Sequence, residues 1–186
     1  HKKSELEFMK KGYGLIRHKL MFNDYIIVGP KKDTEDCVNV NIKLNEIFNK
    51  KLKFISRGDD SGTHKKEIEL LKASNINYKE FKSSYLSVGQ GMGNTLLIAN
   101  EMFAYTLSDR GTWVSFNKKD NLKIICESQP PLLNQYGVII VNPKINSKLD
   151  IYSATKYVNW LISDQGKKLI NGFKVKNQQL FFFNYN

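Results

Sequence analysis

The chain has 186 residues, 41% hydrophobic and 12% aromatic, a globular composition that can bury a core and argues against disorder. Its 29 Lys and Arg against 18 Asp and Glu leave a formal charge of +11, a sign that suits an anionic partner. No apolar run reaches the ~18–20 residues that span a bilayer. No basic-then-apolar leader is present, so any secretion signal is expected to have been removed or to lie upstream.

The opening segment to about Lys11 reads as the end of a helix, with Leu6, Met9 and Phe8 on its apolar side, broken by Gly12-Tyr13-Gly14. Phe22 to Val28 reads as a strand stopped by Gly29-Pro30, and the polar Lys31 to Asp36 as a crossing between lobes. A short helix from Ile42 to Lys51 leads to a strand at Lys53-Phe54-Ile55. A helix from about Gly62 to Ala73 presents Ile68, Leu70 and Leu71, and Tyr85 to Val88 forms the next strand. A buried helix from about Asn94 carries Leu96, Leu97, Ile98, Met102 and Phe103, with Tyr105 and Thr106 at its end. Strands at Lys123–Cys126 and Tyr136–Val141 flank Pro130-Pro131. Asp150 to Leu161 forms a helix through Tyr157, Trp160 and Leu161, and Ser163 caps another reaching Ile170. Alternating strands and helices predict an α/β fold, without an internal repeat.

Cys37 and Cys126 have no metal-ligand spacing; export would permit a disulfide, and two buried thiols are the preferred reading. His1, His18 and His64 make no metal pattern, and no Ser/His/Asp arrangement makes a case for catalysis. No cofactor is expected. The lysines are spread along the chain without a familiar nucleic-acid motif, so nucleic acid is not the expected partner; biased codon usage is one reading of the abundance of Lys, Asn and Ile.

The segment from Phe54 to Glu67 carries the chemistry. It runs from an apolar strand end through Ser56-Arg57-Gly58-Asp59-Asp60-Ser61-Gly62-Thr63 into a helix. A helix N-terminus offers unpaired N–H groups and a partial positive charge. Hydroxyls, amides and one guanidinium suit the oxygens of a desolvated tetrahedral anion. The alternative is an ordinary capped helix, with Asp60 or Ser61 as N-cap and Arg57 paired to Asp59 or Asp60. Arg57-Gly58-Asp59 also matches a cell-adhesion triplet, too short to carry weight.

This segment resembles the signature of the tungstate-binding proteins of ABC uptake systems. The likeness continues through Met21–Pro30, Gly89–Leu96, Ala99-Asn100-Glu101, Ala104–Arg110 and Asn134–Pro143, in the family's order. It implies a type II periplasmic-binding-protein-like fold, two α/β lobes joined by a two-strand hinge, with the anion in the cleft. Residues 35–135 then map to lobe II, and residues 1–34 and 136–186 to part of lobe I. The family's Thr/Ser-rich loop after its first strand has no counterpart, so lobe I is expected to be incomplete, as a fragment or as a shortened product that has lost activity. A partly built lobe would expose a sheet edge and invite a homodimer or aggregation.

On this resemblance the chain is expected to be a non-enzymatic, periplasmic or cell-surface component of an oxyanion importer, working with an ABC permease. Its ligand is tungstate or a related tetrahedral oxyanion such as molybdate or sulfate. Arg57 is expected to make the direct charge contact, with donors from Ser61, Gly62 and Thr63. Ser56 either joins them or satisfies the strand end, and Asp59 and Asp60 orient Arg57 or cap the helix. Gly91, Met92 and Gly93 precede a second helix start and are expected to add N–H groups, though turn geometry explains them equally. Tyr105 is expected in the core; Arg110 and Thr112 either bind or brace a loop. The competing functions are a non-binding remnant acting through self-association or a protein partner, and a basic nucleic-acid binder.

Overall fold

The computed structural model describes residues 2–185; His1 and Asn186 lie outside them. The chain divides into two units, one of residues up to Asn23 with those from Asn134 onward, the other spanning Asp24–Leu133.

In the first unit, helix α1 (Lys2–Lys10) is followed by the first part of strand β1 (Gly14–Pro30). β1 begins eight residues earlier than the apolar run suggested, because its polar residues are accommodated: Glu5 of α1 accepts from Arg17 Nε at 2.8 Å. The later chain contributes β6 (Leu133–Val141), α6 (Ile151–Leu161), α7 (Asp164–Gly172) and the short strands β7 (Lys174–Val175), β8 (Gln178–Gln179) and β9 (Phe182–Phe183). β6 and β9 pair with β1, the latter through Met21–Phe183 and Phe22–Phe182. In α6 only Val158 is buried, while Tyr157 and Trp160 stack on each other at 5.9 Å.

The second unit holds the end of β1, then α2 (Val40–Asn49), β2 (Phe54–Ser56), α3 (Gly62–Ala73), β3 (Tyr85–Ser87) and α4 (Met92–Glu101). It continues with β4 (Thr106–Asp109), α5 (Arg110–Ser115) and β5 (Leu122–Cys126). β2 and β3 pair in parallel, with Ser56 opposite Ser87, and a parallel bridge from Phe54 to Tyr105 places the lead-in to β4 on the other side of β2. β4 pairs antiparallel with β1, and β1 antiparallel with β5.

Both faces of this layer are covered, and β1 shows why. Successive strand side chains point to opposite faces. Tyr25 and Ile27 pack with Leu44, Ile47, Phe48, Leu70 and Leu71 from α2 and α3. Ile26 and Val28 pack with Met92, Leu96 and Ala99 of α4 and with Trp113 of α5. A strand buried on both faces reads as a continuous apolar run, as Tyr25 to Val28 does.

Three expectations need correction. α4 ends at Glu101, and Phe103 takes a left-handed φ of 51° with its side chain 52% exposed. Thr106 therefore opens a strand instead of closing a helix. Cys37 and Cys126 are joined in a disulfide, with Cα atoms 5.3 Å apart, where two buried thiols were preferred. The pairing lies in the tertiary structure, since 89 residues separate the two. Tyr105 is buried as expected, and its hydroxyl donates to Asp33 Oδ2 at 2.9 Å. The buried Lys43 of α2 holds the same carboxylate at 2.9 Å and Glu46 at 3.1 Å.

Candidate functional site

Because β2 and β3 run parallel, the loops that follow them leave from the same edge of the sheet, and α3 and α4 both begin there. The crevice outside the carboxyl ends of parallel strands is the usual ligand position in α/β layers. The two loops touch at Gly58. Its φ is +62°, and a Cβ built there would lie 1.7 Å from Ser87 Oγ. Only glycine combines this backbone with this approach.

The first loop is ordered by its own charges. Asp59 accepts from Arg57 Nε at 3.1 Å and Nη2 at 2.5 Å, and its other oxygen accepts from the Ser61 amide at 3.2 Å. Burial opposes ionisation of Asp59, but hydrogen bonds from Ser61 and Arg57 outweigh it and hold the carboxyl down to about 2. Ser61 is the N-cap of α3, its Oγ accepting from the His64 amide at 3.3 Å. The Asp60 amide donates to His64 Nδ1 at 3.1 Å. These contacts are those of the capped-helix reading, and they leave donors unspent. The amides of Gly62 and Thr63 and the Thr63 hydroxyl have no partner among the described residues. Asp59 engages one edge of the guanidinium, so Arg57 Nη1 remains available.

α4 opens beside it. Gly91 is its N-cap with no side-chain hydrogen bond, and Gly91 and Gly93 face open space. The Met92 and Gly93 amides have no partner among the described residues, whereas the Met92 side chain is buried in the core. The two helix starts thus place unpaired amides on one edge, each with the partial positive charge of a helix N-terminus.

Ser56 lies behind this edge. Its side chain is fully buried, facing Glu67 of α3 and Tyr85 of β3. Tyr85 donates to Glu67 Oε1 at 2.5 Å. Ser56 Oγ and Glu67 Oε2 are both buried without a hydrogen-bond partner among the described residues, although Ser56 lies close enough to bear on the ionisation of the carboxyl. Burial pushes Glu67 up to about 7; the Ser56 and Tyr85 hydroxyls oppose the shift and the Asp59 charge adds to it.

Arg110 is committed elsewhere. Asp24 accepts from its Nε at 2.7 Å and Nη2 at 2.5 Å, and Glu127 from Nη2 at 2.7 Å. Asp109 caps α5 through the Thr112 amide and accepts from the Thr112 hydroxyl, both at 2.7 Å. Both residues brace the fold.

The structure thus gathers Arg57, Ser61, Gly62, Thr63 and the backbone of Gly91, Met92 and Gly93 on one edge, with Ser56 directly behind. Sequence reading overlooked Ser87, Glu67 and Tyr25, whose hydroxyl lies 3.8 Å from a Cβ built on Gly62. Ser87 becomes visible only through its register with Ser56. Glu67 was legible: Thr63, Glu67, Leu70 and Leu71 follow the i, i+4, i+7, i+8 spacing of one buried helix face. Among the described residues no group of three His, Cys, Asp or Glu could hold a metal ion.

An α/β unit that presents two helix N-termini and an arginine on one edge has the donor chemistry of an anion site. Residues 1–165 match the model of the PBP superfamily domain. The chain is 42% identical to the tungstate-binding protein TupA of Peptoclostridium acidaminophilum, over 92% of this chain and 61% of that protein. It is 41% identical to the tungstate-binding protein TupA of Campylobacter jejuni, over 96% of this chain and 68% of that one. The solved tungstate binding protein of Desulfovibrio alaskensis G20 superposes with a TM-score of 0.92 at 36% identity, covering 100% of this chain and 77% of that one. The chain belongs to the PBP superfamily and, within it, to the family of the tungstate-binding proteins. It spans about three fifths of the length of the Peptoclostridium relative. These named relatives have a binding function rather than a catalytic one.

Proposed function

We propose that this chain is the extracytoplasmic solute-binding component of an ABC oxyanion importer and takes tungstate at the edge where α3 and α4 begin. The observation that carries this reading is the contact of the two loops at Gly58, which brings two helix N-termini together beside Arg57. A dianion leaving water needs several oriented donors. Here the Gly62 and Thr63 amides, the Thr63 hydroxyl, the Met92 and Gly93 amides and Arg57 Nη1 supply them. Asp59 stays ionised and offsets much of the Arg57 charge, so the site relies on neutral dipoles as much as on net charge. The names of the relatives support tungstate over sulfate. The disulfide supports a location outside the cytoplasm, where an oxidising environment preserves it. The transporter's permease is the partner that follows.

The test is calorimetric titration of the chain, purified free of phosphate and sulfate, with tungstate, molybdate and sulfate in turn. Saturable binding of tungstate that weakens on Arg57→Ala is expected. A folded chain that gives no heat with any of the three refutes the reading.

A further inference from the structure

The Glu67 cluster lies directly behind that edge and has no part in holding the anion. Its geometry is unusual. One carboxyl oxygen accepts from Tyr85, while the other is buried with no partner, and so is the Ser56 hydroxyl beside it. The carboxyl borders a void among Ile27, Leu44, Phe54, Leu70, Leu71 and Leu107 that has no room for a water molecule. β1, α2 and β4 present only apolar side chains there. The ionisable groups that act on Glu67 are Tyr85 from β3 and Asp59 from the preceding loop, with Tyr78 behind Tyr85. Among the described residues no cation compensates it: Lys43, the buried lysine of α2, is bound to Asp33 and Glu46.

A carboxylate left with an unpaired oxygen in such a place is costly, whereas a carboxylic acid has a proton to offer. We propose that Glu67 is a proton-bearing residue whose Oε2–H is directed at Ser56 Oγ, and that oxyanion binding at the start of α3 is coupled to its protonation. The coupling rests on the oxyanion reading above. A dianion at Gly62 and Thr63 sits within two helical turns of Glu67, across low-dielectric protein. Negative charge on both is unfavourable, so binding draws a proton from solvent onto Glu67 wherever the free protein has lost it. Reciprocally, raising the pH weakens anion binding. Burial, which pushes Glu67 up to about 7, puts this exchange in the neutral range. His64, whose Nδ1 accepts from the Asp60 amide at the mouth of the site, serves as the control.

The test is calorimetry with sodium tungstate from about pH 6 to 9, repeated at about pH 8 in buffers of different ionisation heat. The infrared carboxyl band of the unliganded protein is followed over the same range. Net proton uptake at about pH 8 is expected, with affinity falling by up to ~10-fold per pH unit above neutrality. A protonated-carboxyl band should fade as the pH rises. Glu67→Gln should still bind tungstate but lose the uptake, the high-pH weakening and the band, while His64→Gln keeps all three. Tight binding without proton uptake, uptake that survives Glu67→Gln, or uptake lost in His64→Gln overturns the proposal. Should Glu67→Gln not fold, proton uptake and the band in the unsubstituted protein decide. No heat at any pH beside a band that titrates near neutrality defeats the oxyanion reading, and the coupling with it, while leaving the buried acid itself established.

Discussion

Glu67 makes the pH dependence of folding predictable without any ligand. In the unfolded chain its carboxyl titrates near the ordinary glutamate value of 4.5; in the fold burial pushes it up to about 7. A group whose folded value is raised contributes no penalty below the unfolded value, because it is protonated in both states. As pH rises, the unfolded chain releases the proton first and folding loses stability, until the loss saturates above the folded value. The window therefore runs from roughly pH 4.5 to 7. At 1.36 kcal/mol per pH unit the loss from this residue amounts to about 3 kcal/mol. Glu67→Gln removes the titration and keeps the shape. Its amide can accept from Tyr85 and donate toward Ser56. Urea unfolding of both proteins at several pH values isolates the residue, because every other titration cancels in the difference. The two stabilities should lie closest at about pH 4.5 and diverge by about 3 kcal/mol in favour of the variant by about pH 8. Curves that stay parallel across that range would refute a buried, unpaired carboxyl at this position.

Arg57→Ala should lower tungstate affinity by about 10–100-fold, the range of one or two charge-assisted hydrogen bonds, with little change in melting temperature. Gly58→Ala forces a side chain into positive φ and against Ser87; it should cost about 1–3 kcal/mol by urea unfolding and weaken anion binding with it. Replacing both cysteines by serine opens a covalent loop closed across 89 residues and should lower stability by about 4.6 kcal/mol in the chain-entropy model, read against the oxidised protein in the same denaturant. Arg110→Met strands the buried Asp24 carboxylate and should cost about 3 kcal/mol or more in thermal or urea unfolding.

What the sequence determined by itself was local. The run Tyr25-Ile26-Ile27-Val28 declared a strand because its residues are apolar, and the structure buries it on both faces. Ser61-Gly62-Thr63 declared a helix start, and the motif order declared the family. Even Glu67 was in plain view on the Leu70–Leu71 face of α3. Other features had no local signal. The first half of β1 carries no such signal: Arg17, His18 and Lys19 interrupt its apolar residues, and it is Glu5, 12 positions away, that pairs with Arg17 in the fold. β4 was hidden because Thr106 follows an apolar helix closely, and the left-handed Phe103 that separates them carries no sequence mark. The pairing of Cys37 with Cys126, the capture of Arg110 by Asp24 and Glu127, and the facing of Gly58 with Ser87 all join residues far apart in the chain. Tertiary structure alone decided them, because periodicity and capping report on neighbours within a few residues, whereas strand pairing brings distant carboxylates, thiols and hydroxyls within ångströms of one another.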